Sequence, residues 1–159
     1  MSKRPSLTEP RPGLVIRYAY LWRDEAARGQ EEGKHRPCAV VLAARRGPGD
    51  LLTAVVAPVT HAPPSNPKHA IEIPAQTKRR LGLDEARSWI KTDELNMFTW
   101  PGPDLPPIGR SPDQGGFVYG LLPRNMIAGL IRNVRDRVRE GRAKPVRRDE
   151  LPLPSKGGD

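Results

Sequence analysis

A single cysteine, Cys38, stands in 159 residues, so no intrachain disulfide can form and a thiolate-rich metal site is excluded with it. Long apolar runs are missing as well. None exceeds Cys38 to Ala44, far short of the roughly 20 residues that a membrane-spanning helix needs. The opening MSKRPSLTEPRPG contains no apolar core region, so it is not expected to act as a secretory signal. No GxxxxGK[ST] or GxGxxG loop occurs, which removes sequence support for nucleotide-dependent chemistry. HExxH is absent too, and the spacing of His61 and His69 crosses a proline-rich loop, so no helical metal pair exists. Acidic residues are outnumbered, 18 Asp+Glu against 27 Lys+Arg, for a net charge of +9. That excess makes a polyanion a natural partner and says nothing about fold. These absences together describe a small, basic, soluble protein of a reducing compartment.

The length suits one domain, and 36% apolar residues allow one packed core. The 15 glycines and 19 prolines stay below the roughly 25–30% that marks low-complexity disorder. Prolines and charges cluster at the ends, which predicts a flexible basic arm over 1–12, a single domain over 13–142 and a disordered tail over 143–159. Part of the positive charge therefore lies outside the folded surface. Strands are predicted at Gly13 to Leu21, Cys38 to Ala44, Leu51 to Ala57, His69 to Ile73 and Ser88 to Thr92. The polar stretch RDEAARGQEEGKHR reads as a loop, and Thr77 to Leu81 as one helical turn. Five prolines and two glycines within 101–114 require a loop, part of a proline-rich insertion over 101–122, with a short strand at Phe117 to Tyr119. From Asn125 the period changes. Met126, Ile127, Leu130, Ile131, Val134 and Val138 recur at helical steps, with Arg132, Arg135, Asp136 and Arg139 opposite. Several short strands and one closing helix predict a small, strongly bent sheet or a partly open barrel.

Several residues carry candidate chemistry. Cys38 opens an apolar strand and reads as a small buried hydrophobe. Of the three histidines, His69 fits an exposed loop residue better than His35 does. An acid–base histidine pair is conceivable, but nothing in the sequence holds two rings together. The segment Glu31-Glu32-Gly33-Lys34-His35-Arg36-Pro37 is a charged loop running into a buried strand. Pro37 biases Arg36 toward an extended backbone, which would project its guanidinium from the mouth of the sheet, where a bidentate grip on phosphate is easy. Thr60 ends a strand, and Asp93 and Glu94 follow another. Each alone is more often a turn-former or a solvated carboxylate.

Their order is more informative. Gly13-Leu-Val-Ile, the acidic loop into KHRPCAVVLA, then VVAPVT, then SWIKTDELNMF, resembles the MazF/PemK family of toxin ribonucleases. The matching residues are Gly13, Glu31 through Pro37, Thr60 and Asp93, over about residues 11–100 plus the helix near 123–140. The resemblance implies a mainly β fold with α, a small SH3-like barrel of about five to seven strands with a C-terminal helix. It implies Arg36 as the main catalytic cation, Thr60 against the scissile phosphate, and Asp93 as the general base proposed in the PemK/Kid branch. Lys91 stands where that branch has an arginine, and Glu31 matches a loop glutamate of other members. Lys34, His35, Lys91, Glu94 and Trp22 are the candidate substrate contacts. The insertion 101–122 and the longer tails depart from compact members, and Gln30 stands near the position of a loop histidine in the PemK/Kid branch. The assignment of acid and base stays open for that reason.

What the resemblance implies for function is a cytoplasmic endoribonuclease that cuts single-stranded RNA and needs no metal or other cofactor. The substrate's own 2′-hydroxyl is the nucleophile, and the product is a 2′,3′-cyclic phosphate. A small acidic antitoxin and a second copy of the chain are the implied partners. The alternative is a barrel that binds nucleic acid without cutting it, or a family member that has lost activity. Of the possible aromatic platforms, Tyr20, Trp22, Trp89, Phe98 and Trp100, Trp89 suits the core best and Trp22, bordering the loop, suits a base best.

Overall fold

The computed structural model describes residues 9–46, 49, 51–100 and 117–148. Strand β1 (Leu14–Tyr20) is buried on both faces, because successive residues serve different cores. Val15 packs into one cluster, while Leu14, Ile16, Tyr18 and Tyr20 pack into the other. Gly13, just ahead, has φ of +92°, and a Cβ there would strike the Ile127 side chain at 2.3 Å. Only glycine allows the chain to enter β1 so close to the terminal helix.

After β1 come a short helix α1 (Arg23–Ala27), the long strands β2 (Lys34–Arg46) and β3 (Leu51–Thr60), and a 3-10 turn at Pro67–His69. Strand β4 (Ala70–Ile73), helix α2 (Ala75–Leu81), β5 (Ser88–Lys91) and β6 (Leu95–Thr99) follow. Strand β7 (Val118–Leu121), helix α3 (Arg124–Arg139) and β8 (Pro145–Arg147) complete the described residues. The strand order is β4-β5-β3-β2-β1-β7. Strand β3 bridges two neighbours on one edge, with β6 along Thr53–Val56 and β5 along Val59–Thr60. That divided pairing, with a register shift in β2 between Val40 and Leu42, curls the antiparallel sheet into a half-barrel. The fold is mostly β, closed by α3. Among the described residues no helix is long and apolar enough to cross a membrane.

One face of the sheet packs beneath the helices, where Leu81 of α2 and Leu130 and Val134 of α3 meet Val15, Ala39, Ala57, Val59 and Ile90. The other face curls on itself around Tyr18, Tyr20, Phe98 and Trp100. Tyr18 and Phe98 stack with centroids 4.5 Å apart. Lys78 of α2 is 3% exposed, and its ammonium is satisfied by Asp84 Oδ1 at 2.6 Å, Ser88 Oγ at 2.5 Å and the Ala86 carbonyl. Lys78 with His61 holds the Asp84 carboxyl below the usual carboxylate range.

Several expectations change. Strand β2 begins at Lys34, not Cys38, because Tyr20 to Arg17 pair with Lys34 to Pro37 and draw the supposed loop into the sheet. The expected loop after β1 contains α1, with Glu25 Oε1 reaching back to the Trp22 N–H at 3.1 Å. Strand β6 has no counterpart in the predicted elements; its short, broken alternation is set by pairing to β3. The predicted tail starts too early: Ala143 is 2% exposed, and β8 pairs in parallel with β6. Residues 117–122 of the predicted insertion also belong to the fold, through β7 and buried Leu122. In the predicted arm Pro10 is buried. Residues 1–8, 101–116 and 149–159 lie outside the described residues.

Candidate functional site

Strand register assembles the site. In β1 and β2, Tyr18 pairs with Arg36; in β3 and β5, Thr60 pairs with Trp89. Between β2 and β3 the paired residues end at Cys38 and Pro58, two residues short of Arg36 and Thr60. By strand alternation Tyr18, Arg36, Thr60 and Trp89 fall on the face of the aromatic core. Lys91 lies two residues beyond Trp89 on that same face.

Arg36 lies over the Trp22 ring, with its guanidinium carbon 5.0 Å from the centroid. Its Nε is shielded from solvent and meets no hydrogen-bond acceptor among the described residues. Trp22 meets Tyr20 edge-on at 5.2 Å, and the Tyr20 hydroxyl donates to Glu94 Oε1 at 2.9 Å. The same oxygen accepts from the Arg23 backbone N–H at 3.0 Å. Burial pushes the Glu94 carboxyl above the usual range; those two donors pull it back, and Asp93 adds to the rise. Burial, then the Glu94 charge, pushes the Tyr20 phenol well above its ordinary value, so it remains a donor.

Asp93 lies between Lys91 and His69 in the turn joining β5 and β6. Lys91 Nζ is 3.5 Å from its Oδ1, and His69 Nδ1 is 3.5 Å from its Oδ2. The Asp93 side chain is only 21% exposed, and among the described residues Oδ1 receives no hydrogen bond. Thr60 Oγ1 accepts from the Ala62 N–H at 3.1 Å, which leaves its own O–H free to donate.

Arg36, Thr60, Lys91, Glu94 and Trp22 therefore share one side of the curled sheet, with Asp93 in the turn between Lys91 and Glu94. Arg36 lies near the start of β2 in extended backbone, with its guanidinium over the Trp22 ring. His35 pairs with Ala19, one step from Arg36, so it points to the opposite face. Lys34 is exposed on Arg36's side, opposite Tyr20. Glu31 is exposed in the preceding loop, and its carbonyl accepts from Arg148 Nη2 at 3.4 Å. His69 corrects its reading as an exposed loop residue, because the 3-10 turn leaves it 16% exposed beside Asp93. Cys38 is fully buried, and burial pushes its thiol up, as a packing residue requires.

Sequence reasoning missed three supports. Asn96, with no exposure, donates to the Leu21 carbonyl at 2.8 Å and accepts from the Leu21 N–H at 2.9 Å, fixing the chain just before Trp22. Arg148 binds the Ala19 carbonyl at 2.5 Å. Arg137, 5% exposed, donates to the Lys68 carbonyl at 2.6 Å and holds the turn that presents His69. A polar residue inside an apolar stretch, as in LNMF, was the one available signal.

Comparison with known families decides the relationship. The model of the PemK-like, MazF-like toxins of type II toxin–antitoxin systems matches residues 9–99. The chain belongs to this family. No curated protein matches it. As a PemK-like chain, it has every candidate residue from Trp22 to Glu94 inside the matched span, whereas β7, α3 and β8 lie beyond it. Members of this toxin family are generally ribonucleases.

Proposed function

We propose that this PemK-like protein is an endoribonuclease toxin that cuts single-stranded RNA. The observation that carries the proposal is the Arg36 guanidinium backed by Trp22, on the sheet face that also carries Thr60, with the carboxylates of Asp93 and Glu94 in the adjoining turn. In the proposed reaction the substrate's 2′-hydroxyl oxygen attacks the adjacent phosphorus, the bond from phosphorus to the 5′-oxygen breaks, and a 2′,3′-cyclic phosphate and a 5′-hydroxyl result. Asp93 takes the proton from the 2′-hydroxyl, help typically worth about 10²–10⁴ in rate. Arg36 and the Thr60 hydroxyl stabilise the charge that gathers on the non-bridging oxygens. Lys34 and Lys91 attract the backbone, and Trp22 offers an edge to an unstacked base. The departing 5′-oxygen takes its proton from solvent water and Asp93 returns its own to solvent, so the step balances with no metal in it. DNA, lacking the 2′-hydroxyl, binds and is not cut.

A small acidic antitoxin covering the basic face is the proposed inhibitor, and a second copy of the chain the proposed partner in a homodimer. The test is purified protein with a varied single-stranded RNA pool in excess chelator, wild type beside Arg36→Ala. Cleavage by the wild type alone supports the proposal. No cleavage by the wild type overturns it in favour of a non-catalytic nucleic-acid binder, and equal cleavage by both removes Arg36 from its role.

A further inference from the structure

His69 is placed by a turn that does not depend on its side chain. Its backbone N–H donates to the Asn66 carbonyl at 2.9 Å, and its carbonyl accepts from the Thr92 N–H at 2.9 Å. Asn66 Oδ1 accepts from the Lys68 N–H at 2.9 Å, which caps the turn. From the other side, buried Arg137 of α3 donates to the Lys68 carbonyl, while Glu140 and Asn133 hold its guanidinium. The terminal helix therefore clamps the segment that carries the ring. On that rigid base, Nε2 lies 3.4 Å from Asn66 Nδ2 and Nδ1 lies 3.5 Å from Asp93 Oδ2. Lys91 approaches the other Asp93 oxygen.

A carboxylate with a cation at one oxygen and an imidazole at the other has its plane fixed by both. We propose that His69 is a positioning residue: with Lys91 it orients the Asp93 carboxylate toward the ribose 2′-hydroxyl. This inference rests on the reading that Asp93 takes that proton. The two separations exceed hydrogen-bond length, as is common before substrate closes a site, and they shorten in the complex. Loss of such alignment costs about 10–100-fold in turnover, because misplacement by about 1 Å is enough.

The test measures steady-state cleavage of one RNA by wild type, His69→Ala, His69→Leu and His69→Asn. The alanine and leucine variants lose about 10–100-fold in kcat with KM unchanged. Asparagine restores most of the rate, because its amide donates from near the Nδ1 position. Adding His69→Ala to Asp93→Asn lowers the rate no further, since the two residues act as one. Equal rates for alanine and wild type, a change in KM alone, or an asparagine variant no better than leucine would each overturn the proposal. If the wild type cuts while His69→Ala cuts equally well, this inference fails alone. If the wild type cuts nothing, the ribonuclease reading falls and carries this inference with it.

Discussion

The Arg36 guanidinium stacks on the indole of Trp22, 5.0 Å from the ring centroid, although Trp22 caps α1 and Arg36 lies in β2. A cation over an aromatic face gains about 0.5–1 kcal/mol when exposed and about 2 kcal/mol when desolvated. The ring thus restricts Arg36 through its face, without itself accepting an in-plane N–H hydrogen bond. Arg36→Ala should lower kcat by about 10²–10³, the usual cost of one charge-stabilising donor. Arg36→Lys should not rescue it, since an ammonium lacks the planar fork. Trp22→Ala should reduce cleavage and also lower the unfolding midpoint, because the ring packs on Tyr20 at the edge of the aromatic core; RNA cleavage beside urea denaturation checks both.

Gly33 closes the loop before β2, and a Cβ there would lie 2.3 Å from the Tyr20 carbonyl oxygen and 2.6 Å from that of Ala19. Backbone on backbone cannot yield as a flexible side chain would. Gly33→Ala should therefore destabilise the fold by about 1–3 kcal/mol and loosen the β1–β2 junction under Arg36. Urea unfolding gives the stability, and unchanged stability would show that the loop can move aside.

Asn96 mimics a strand neighbour for Leu21 through its own amide. Asn96→Ala leaves the Leu21 N–H and carbonyl without these partners in the interior, at about 1–3 kcal/mol for each buried group left unmade. The expected loss is about 2–4 kcal/mol, read as a lower urea midpoint at constant slope.

Glu94 predicts a pH dependence of stability. Its folded carboxyl holds its proton more tightly than in the unfolded chain, where glutamate titrates near about 4.3. The folded state then binds more protons between the two values, so stability falls as pH rises through that interval. Glu94→Gln keeps an oxygen to accept from Tyr20 and Arg23 and removes the buried charge. It should be more stable than wild type near pH 7, and the difference should close below about pH 4. Chemical denaturation at both pH values checks this; an equal difference at both would show that charge burial is not the cause.

Not all of the fold was equally legible in the chain. β1, β3 and α3 announce themselves through apolar content and period, because each packs a continuous surface against a core. β6 does not: in LNMFT, Asn96 interrupts the pattern where its amide substitutes for a strand partner. β8 lies in a proline-rich, charged stretch and exists only because β6 offers an edge. Arg36, Thr60 and Asp93 could be picked from ordered motifs. His35 and Glu31 could be picked in the same way, and the register and an exposed loop set them apart from Arg36.

Family, basic charge, strand-rich composition and the RP junction were determined by the sequence alone, since each is a property of residue type and order. The tertiary structure decided which of those residues meet. A strand reverses its face at every residue, so Arg36 and His35 part company by one step of register. A curled sheet brings Trp22, Tyr20 and Glu94 together across more than seventy positions, and a buried arginine on the last helix sets His69 beside Asp93. Those contacts depend on how elements pack, and packing is not written in local sequence.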